Sequence, residues 1–438
     1  MSSLKKVLVI TYYWPPSGGS GVQRWMFFCK YLPAFGIKPY VVTVKEEKAS
    51  YKFNDNSFIE NIKDTEVYKT NTLEPLKIYS KILGGDDHSN IPLGFSGEVR
   101  PSIFQKISRF IRGNFFIPDA RVGWNIFAYK EAKKVIQKNK IDIVITTGPP
   151  HSSHLIGLRL KKNLKVKWIA DFRDPWTEIY YNKLLYRSSF SKQKDAKLER
   201  MTIENADIVL TIGPSMKNLL QEKTVKQKEK FYYIYNGYES DLFKSIEGKK
   251  TTKDKFIICH IGIVSDSQPI TSLLTALSLA YNNNKQIAGL LKLQFVGKVS
   301  PEIIKEIKEI NPWLSLELID YLPHKKAIEY MVNANLLFNS LAEMDNSKFL
   351  VSGKLMEYIA TGNPVICLGD PNGDAAFLLK EFEDAEVFDR KNIDGIFKFI
   401  INIFNKWKIN TNFKLNTNLK YSRFETTKQL SELINQLK

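Results

Sequence analysis

Short apolar runs alternate with longer amphipathic stretches along nearly the whole chain. Residues 4–11 (LKKVLVIT) form a Val- and Ile-rich run of strand length, followed by a glycine-containing loop from Pro15 to Gly21. The next stretch, VQRWMFFCKYLPAFG, has helical periodicity and stops at Gly36, and KPYVVTV reads as the following strand. Strand, glycine loop, helix, strand is the opening of a doubly wound α/β domain. Further strands are expected at 141–148 (IDIVITTG), 166–172 (VKWIADF) and 206–213 (ADIVLTIG), with helical segments between them.

The pattern pauses at Asn236-Gly237 and a Lys- and Glu-rich loop over 244–255, then restarts. FIICHIG (256–262) and LKLQFVG (291–297) read as strands, and ITSLLTALSLAYNN and PEIIKEIKEI as helices. LSLELIDYL, AIEYMVNAN, LLFNSL, SGKLMEYIATG and NPVICLG continue the alternation. The expected fold class is therefore α/β, with two Rossmann-like doubly wound domains. The first is expected over 1–240 and the second over 241–411. Residues 412–438 are expected to add a helix that packs back on the first domain.

One stretch departs from the alternation. Residues 74–127 are loop-rich and contain SIFQKISRFIR at 102–112. At 100° per residue, Ile103, Phe104, Ile107, Phe110 and Ile111 fall within about 120° of one another, and Lys106, Arg109 and Arg112 lie on the other side. Such a helix suits a membrane interface, or it packs its apolar face on the domain core as an ordinary surface helix does.

Charge sharpens this picture. The net charge is +18, and residues 1–200 hold 34 Lys and Arg against 18 Asp and Glu, whereas 201–438 hold 30 against 28. An excess confined to one half points to an anionic partner there, phosphate, nucleic acid or anionic lipid, or to a merely lysine-rich solvated surface. The three cysteines, Cys29, Cys259 and Cys367, are scattered without metal-ligand spacing, which fits a reducing compartment. No leader pattern is apparent and no stretch approaches the roughly 20 apolar residues that span a bilayer. The expected location is the cytoplasm, peripheral at the inner face of the cell membrane.

Four places carry candidate chemistry. Gly18, Gly19 and Gly21 open a helix, where backbone can approach a ligand and N–H groups attract anions, although a tight turn without ligand uses the same glycines. His151 and His154 follow an expected strand in GPPHSSHLIG, at the sheet edge where open α/β sheets bind ligands. A histidine there can take a proton or bond a sugar hydroxyl, and one of the two can serve only to cap the helix. Asp171, Arg173 and Asp174 cluster after the next strand, as site residues or as a structural ion pair. Lys354 and Glu357 share one face of a helical turn in SGKLMEYIATGNPVI. A lysine can offset phosphate charge and a carboxylate can accept two ribose hydroxyls, or the two can form a helix salt bridge.

At these residues the chain resembles the GT-B glycosyltransferases, specifically the retaining family 4 type of bacterial surface-polysaccharide synthesis. GKLMEYIATGNPVI is similar to that family's helix-loop-strand element, and YNGYESDLF (235–243) to its interdomain element. YYWPPSGGSGVQR, GPPHSSHLIG, ADFRDPW and IPDARVGW (117–124) resemble a subgroup of the family, so the likeness covers nearly the whole chain. The resemblance implies an interdomain cleft, an acceptor on the first domain and a nucleotide-diphosphate sugar on the second. It implies that Gly18 and Gly19 approach the donor phosphates or acceptor, and that Gly262 and Gly297 open loops near the donor. Lys354 would contact the diphosphate, Glu357 the ribose, the loop after Tyr321 the nucleobase, and His151 the transferred sugar. His154 and Asp171 join the substrate-binding set. The family's second carboxylate lies eight residues before Glu357, where this chain has Phe349, and GIVSDSQPIT offers Ser265, Asp266 and Gln268 in place of the usual Arg and Lys. Stabilising the leaving diphosphate then falls to Lys354, Lys298 or Arg173.

The expected reaction is sugar transfer to a hydroxyl of a lipid-linked glycan acceptor, with retention, by front-face attack. Its demand is electrostatic, because charge develops on the leaving diphosphate. No DxD motif occurs, so no cofactor and no required metal are expected. The expected partners are the nucleotide sugar, the acceptor and an anionic membrane surface, with no nucleic acid. A sugar-nucleotide epimerase on the same fold and a non-catalytic sugar- or nucleotide-binding relative are the competing readings.

Overall fold

A computed structural model describes residues 4–50, 55–74, 103–244, 254–409 and 419–437. The chain forms two compact units, one of residues 1–235 and 424–438, the other of residues 236–423.

The first unit is built on a seven-stranded parallel sheet. Its strands are β1 (Lys5–Ile10), β2 (Ile37–Val44), β3 (Glu66–Thr70), β4 (Ile143–Gly148), β5 (Lys167–Phe172), β6 (Ile208–Thr211) and β7 (Phe231–Tyr233), in the order β3-β2-β1-β4-β5-β6-β7. Central strands buried on both faces read as unbroken apolar runs: every residue of β4 is buried, as are Val7 to Ile10 of β1. The order reverses between β1 and β4, which pair in parallel from Val7↔Ile143 to Ile10↔Thr146. Loops leaving the carboxyl ends of strands at such a switch point border a crevice, and here they carry the glycines and His151, with Arg173 on the neighbouring loop after β5. The Arg423–Gln436 helix belongs to this unit. Its Leu430, Leu433 and Ile434 sit in one apolar cluster with Trp25, Phe28 and Ile37, and Lys5 Nζ donates to Ile434 O at 2.8 Å.

The second unit repeats the plan with six parallel strands: β8 (Phe256–Ile261), β9 (Leu291–Val296), β10 (Ser315–Ile319), β11 (Leu336–Ser340), β12 (Val365–Leu368) and β13 (Ala385–Phe388). Their order, β10-β9-β8-β11-β12-β13, reverses between β8 and β11. The Gly353–Thr361 helix follows β11, capped by Ser352, whose side chain accepts from Lys354 N.

The Ile103–Phe115 helix corrects the reading in which its apolar face packs on the domain core. Its arginines turn inward while Lys106 stays exposed: Arg109 is buried and Arg112 half-buried, and a Cβ on Gly113 would lie 2.3 Å from Leu185 O. Its apolar residues Ile103, Ile107 and Phe110 are exposed. They fall within about 60° of one another, with Arg109 about 130° and Gly113 about 90° from their middle. The apolar face is therefore not packed on the core, and the arginines do not form a solvated basic face.

Candidate functional site

In the first unit, the end of β5 is committed to the core. Asp171 is fully buried, and its carboxylate accepts from Arg24 Nη2 at 3.0 Å, Trp25 Nε1 at 2.6 Å and Thr147 Oγ1 at 2.9 Å. No lone pair is left facing a ligand, so Asp171 is corrected from substrate binding to a structural role: it fixes the start of the Ser20–Tyr31 helix. Arg173 is likewise spent on backbone. It donates to the carbonyls of Gly21, Gly148 and Pro149 and is buried. It ties the glycine loop to the end of β4 and does not present its guanidinium to a leaving group. Gly19 adopts φ +95 at the helix N-terminus and is exposed, so its backbone conformation is what requires glycine there. Gly18, beside it, is half-buried.

Each of the two histidines keeps one buried ring nitrogen without a hydrogen-bond partner, and they differ in their surroundings. His151 Nε2 lies 3.1 Å from Pro175 O. A carbonyl only accepts, so Nε2 carries the proton and Nδ1 is a bare acceptor; it is buried and has no hydrogen-bond partner. Burial pushes the His151 pKa well below the usual histidine range, so the ring stays neutral. It stacks on Trp176 at 5.1 Å in a pocket also lined by Arg112, Tyr181 and Arg187. His154 is fully buried instead, stacked on Phe172 at 4.5 Å. Trp168 Nε1 donates to Thr146 Oγ1 at 2.8 Å, which directs that hydroxyl's proton to His154 Nδ1 at 2.9 Å. Burial holds its pKa down at about 3. His154 is thus placed in the core, with a buried Nε2 that also lacks a hydrogen-bond partner. Gly148 makes room for both rings, since a Cβ there would lie 2.8 Å from His151 Nδ1 and from His154 Nε2.

Asp119 is a residue that sequence reasoning left without a role. It accepts from Ser152 N at 2.7 Å and Ser152 Oγ at 2.8 Å, fixing the first turn of the helix that follows His151. Its signal was present in the IPDARVGW element.

In the second unit, the loops after β8 and β9 meet Lys354. Gly262 has φ +99 and its Cβ would lie 2.8 Å from Lys354 Cε; Gly297 has φ +124 and its Cβ would lie 2.6 Å from Gly262 O. Both glycines are required by conformation and by space. Lys354 Nζ lies 3.0 Å from His260 Nε2 and donates to Ile263 O at 3.2 Å. His260, fully buried on β8, donates from Nδ1 to Phe338 O at 3.0 Å, which leaves Nε2 as the acceptor for the lysine. Burial lowers the Lys354 pKa to about 8, against a raising effect of the Glu357 carboxylate. Both hydrogen-bond partners of the lysine are neutral, and it sits in the first turn of a helix, where N–H groups favour anions. Glu357 is bonded to His324 Nε2 at 2.8 Å. Tyr321 and Lys298 are exposed at loops after β10 and β9. Phe349 is buried. His260 and His324 were missed by sequence reasoning, although a lone histidine inside the apolar run FIICHIG was a visible signal.

The model of the family described as Glycosyltransferase Family 4 matches residues 94–242. Among solved structures, the chain is similar to the trehalose-6-phosphate synthase OtsA, with 12% identity, 99% of this chain and 100% of that chain covered and a TM-score of 0.59. It is also similar to WaaG, a glycosyltransferase involved in lipopolysaccharide biosynthesis, with 14% identity, 98% and 99% covered and a TM-score of 0.56. A third likeness is to the UDP-GlcNAc 2-epimerase from Neisseria meningitidis bound to UDP-GlcNAc, with 10% identity, 98% and 100% covered and a TM-score of 0.50. No curated protein matches the sequence. The two parallel-sheet units together are a GT-B glycosyltransferase fold.

Proposed function

We propose that this chain is a glycosyltransferase that moves a sugar from a nucleoside-diphosphate sugar to a hydroxyl of a glycan acceptor, with retention. The observation that carries the reading is Lys354. It is an ammonium held by neutral partners in the first turn of a helix, between two glycine turns with positive φ, with Glu357 one turn further on. A diphosphate would find there a cation and helix N–H groups, and the ribose a carboxylate acceptor. In the reaction the bond from the anomeric carbon to the diphosphate oxygen breaks. The acceptor oxygen bonds to that carbon on the same face, and its proton passes to the departing diphosphate. Lys354 then meets more charge in the transition state than in the ground state, which is the condition for raising turnover and not only affinity. We assign the bare Nδ1 of His151 to a hydroxyl of the transferred sugar. The reading needs no metal.

We place the acceptor on a lipid carrier, in bacterial polysaccharide or glycoconjugate assembly; the part of WaaG in lipopolysaccharide biosynthesis supports this. Among the described residues no helix is long and apolar enough to cross a membrane, so such an acceptor would be met at the membrane surface.

The likeness to an epimerase makes the acceptor the deciding variable. The test incubates the chain with a panel of nucleoside-diphosphate sugars, with and without a glycan acceptor, and follows release of nucleoside diphosphate. Release that needs the acceptor is the expected result. Donor turnover without any acceptor selects an epimerase, and no turnover together with no nucleotide binding selects a non-catalytic relative. In the same assay Glu357→Ala should weaken donor binding by ~1.5–3 kcal/mol, the worth of hydrogen bonds to a charged acceptor. Unchanged donor affinity in the folded variant would remove Glu357 from the ribose.

A further inference from the structure

Lys354 and Glu357 stand three residues apart on the Gly353–Thr361 helix, the spacing at which a lysine and a glutamate ordinarily pair. Here each turns to a histidine on another element instead. The lysine meets His260 Nε2 at 3.0 Å and the carbonyl of Ile263, and Glu357 Oε1 lies 2.8 Å from His324 Nε2. A carboxylate only accepts, so His324 donates from Nε2 whether its ring is neutral or charged. That bond takes one carboxylate oxygen and leaves the other. Burial lowers the Lys354 pKa and the Glu357 carboxylate opposes it, so the two remain within electrostatic range of each other.

The backbone around His324 fixes its direction. It is the first residue of the His324–Asn333 helix and follows Pro323, whose ring sets φ at the helix start. This helix buries Ala327, Ile328, Met331 and Val332. Its far end is bonded to the turn that closes the Gly353–Thr361 helix, where Asn363 Nδ2 donates to Met331 O at 2.7 Å and to Val332 O at 3.1 Å. Tyr358 Oη, next to Glu357 in the chain, accepts from Ile261 N at 2.9 Å and ties the same helix to β8. Both helices are therefore anchored independently of the His324–Glu357 bond. His324 is exposed, and an exposed pair of this kind contributes little to stability. Its consequence lies in the neighbouring charge, because a Glu357 released from His324 has Lys354 within reach on its own helix face.

We propose that His324 is a positioning residue for the donor: it holds Glu357 away from Lys354, so that the ammonium keeps its charge for a diphosphate and the second carboxylate oxygen is left for the ribose. The role rests on the donor reading of Lys354 and Glu357. Two consequences separate it from simple packing. His324 acts only through Glu357, and its loss is felt even by a ligand that has no ribose.

Calorimetry on the whole chain, with UDP or GDP and with inorganic pyrophosphate, tests both. His324→Ala should weaken pyrophosphate binding by roughly fivefold, because an ion pair at the strong end of the exposed range then competes for the lysine. Nucleotide binding should weaken by roughly tenfold, since the ribose also loses an oriented charged acceptor. His324→Gln, whose amide nitrogen can donate to the same oxygen, should stay within about twofold of the parent. With Glu357→Ala in place, adding His324→Ala should change neither affinity by more than about twofold, as expected of a residue that acts through another. Urea unfolding without ligand should be alike for the parent and both His324 variants. Unchanged affinities in His324→Ala overturn the proposal, as does an equal loss in His324→Gln or in the Glu357→Ala background. A loss confined to the nucleotide also overturns it, because Lys354 is then not what His324 protects. A folded parent that binds neither probe removes the donor reading itself, and the positioning role with it.

Discussion

His260 lies in the middle of an apolar strand, yet it is fully buried and sets the position of the group on which the proposed chemistry depends. Its Nδ1–H is spent on Phe338 O, so Nε2 must accept, and Lys354 Nζ is the donor that satisfies it. The lysine's pKa is lowered to about 8 by burial, with His260 and Ile263 O as its neutral neighbours and Glu357 as the nearby carboxylate. A bound diphosphate favours the charged lysine and raises that pKa. The affinity it contributes is then fully present below about 8 and lost as pH climbs from there towards the liganded value. Nucleoside-diphosphate affinity, measured by calorimetry from about pH 7.5 to about pH 9.5, should fall across that window, with proton uptake on binding. A flat profile would separate Lys354 from the phosphates. His260→Leu should lower turnover while His260→Gln, whose amide oxygen can still accept from the lysine, should retain most of it. Loss of turnover by the two variants alike would reduce His260 to packing. Lys354→Ala should lower turnover more than donor affinity, and a steady-state comparison showing the reverse would make it a binding residue only. Asp171 shows what the residue types alone left open. Asp, Arg and Asp at a strand end suit a site and an ion pair equally, and burial decides. Asp171→Ala would strand Arg24, whose side chain is fully buried, and should cost about 3–5 kcal/mol in urea unfolding. A change under about 1 kcal/mol would show that the pair is not structural.

At the scale of elements, the inner strands were legible and the edges were not. β1, β4, β5, β8, β11 and β12 are almost wholly buried and therefore stand out as apolar runs. β3, β7 and β13 are edge strands of three to five residues, partly exposed, and EVYKT, FYY and AEVF carry no such run. The Ile103–Phe115 helix teaches a different limit. Periodicity establishes that a helix has two faces, but not which one turns inward. Gly113 decides that here, because only a residue without Cβ lets the helix approach Leu185 O so closely. The same logic governs the helix after His151. A Cβ on Gly157 would lie 2.3 Å from Trp168 Nε1, the donor that orients Thr146 and through it His154. Gly157→Ala should therefore destabilise the fold by about 1–3 kcal/mol through overpacking, beyond any gain in helix propensity. Urea unfolding followed by tryptophan fluorescence measures it. A variant as stable as the parent would mean that the helix shifts away from β5 at no cost.

For the whole molecule, the alternation of strand and helix restarts once, and the GT-B fold follows from that duplication. Each unit places its candidate chemistry where its strand order reverses, so the general location of the site was legible from strand-end loops. What could not be read from one dimension is how many of those side chains the fold consumes. Asp171 and Arg173 are spent on internal partners and His154 bonds Thr146 through Nδ1 with only a buried Nε2 left over, whereas His151 Nδ1 and the Lys354 ammonium are the groups proposed to meet a ligand. The two survivors lie in different units, which makes their proposed ligands separable by experiment. A nucleoside diphosphate held by Lys354, Glu357 and the Gly262 and Gly297 turns should stabilise the second unit and not the first. Linkage gives the size: ligand at about 100 times its dissociation constant adds about 2.7 kcal/mol to the state that binds it. In amide hydrogen exchange with saturating UDP or GDP, protection should therefore rise at residues 260–264, 297–300 and 353–357, with β4, β5 and the His151 turn little changed. Protection that rises around His151 and leaves the Lys354 helix as it was would move the nucleotide to the first unit, and with it the leaving-group role proposed for Lys354.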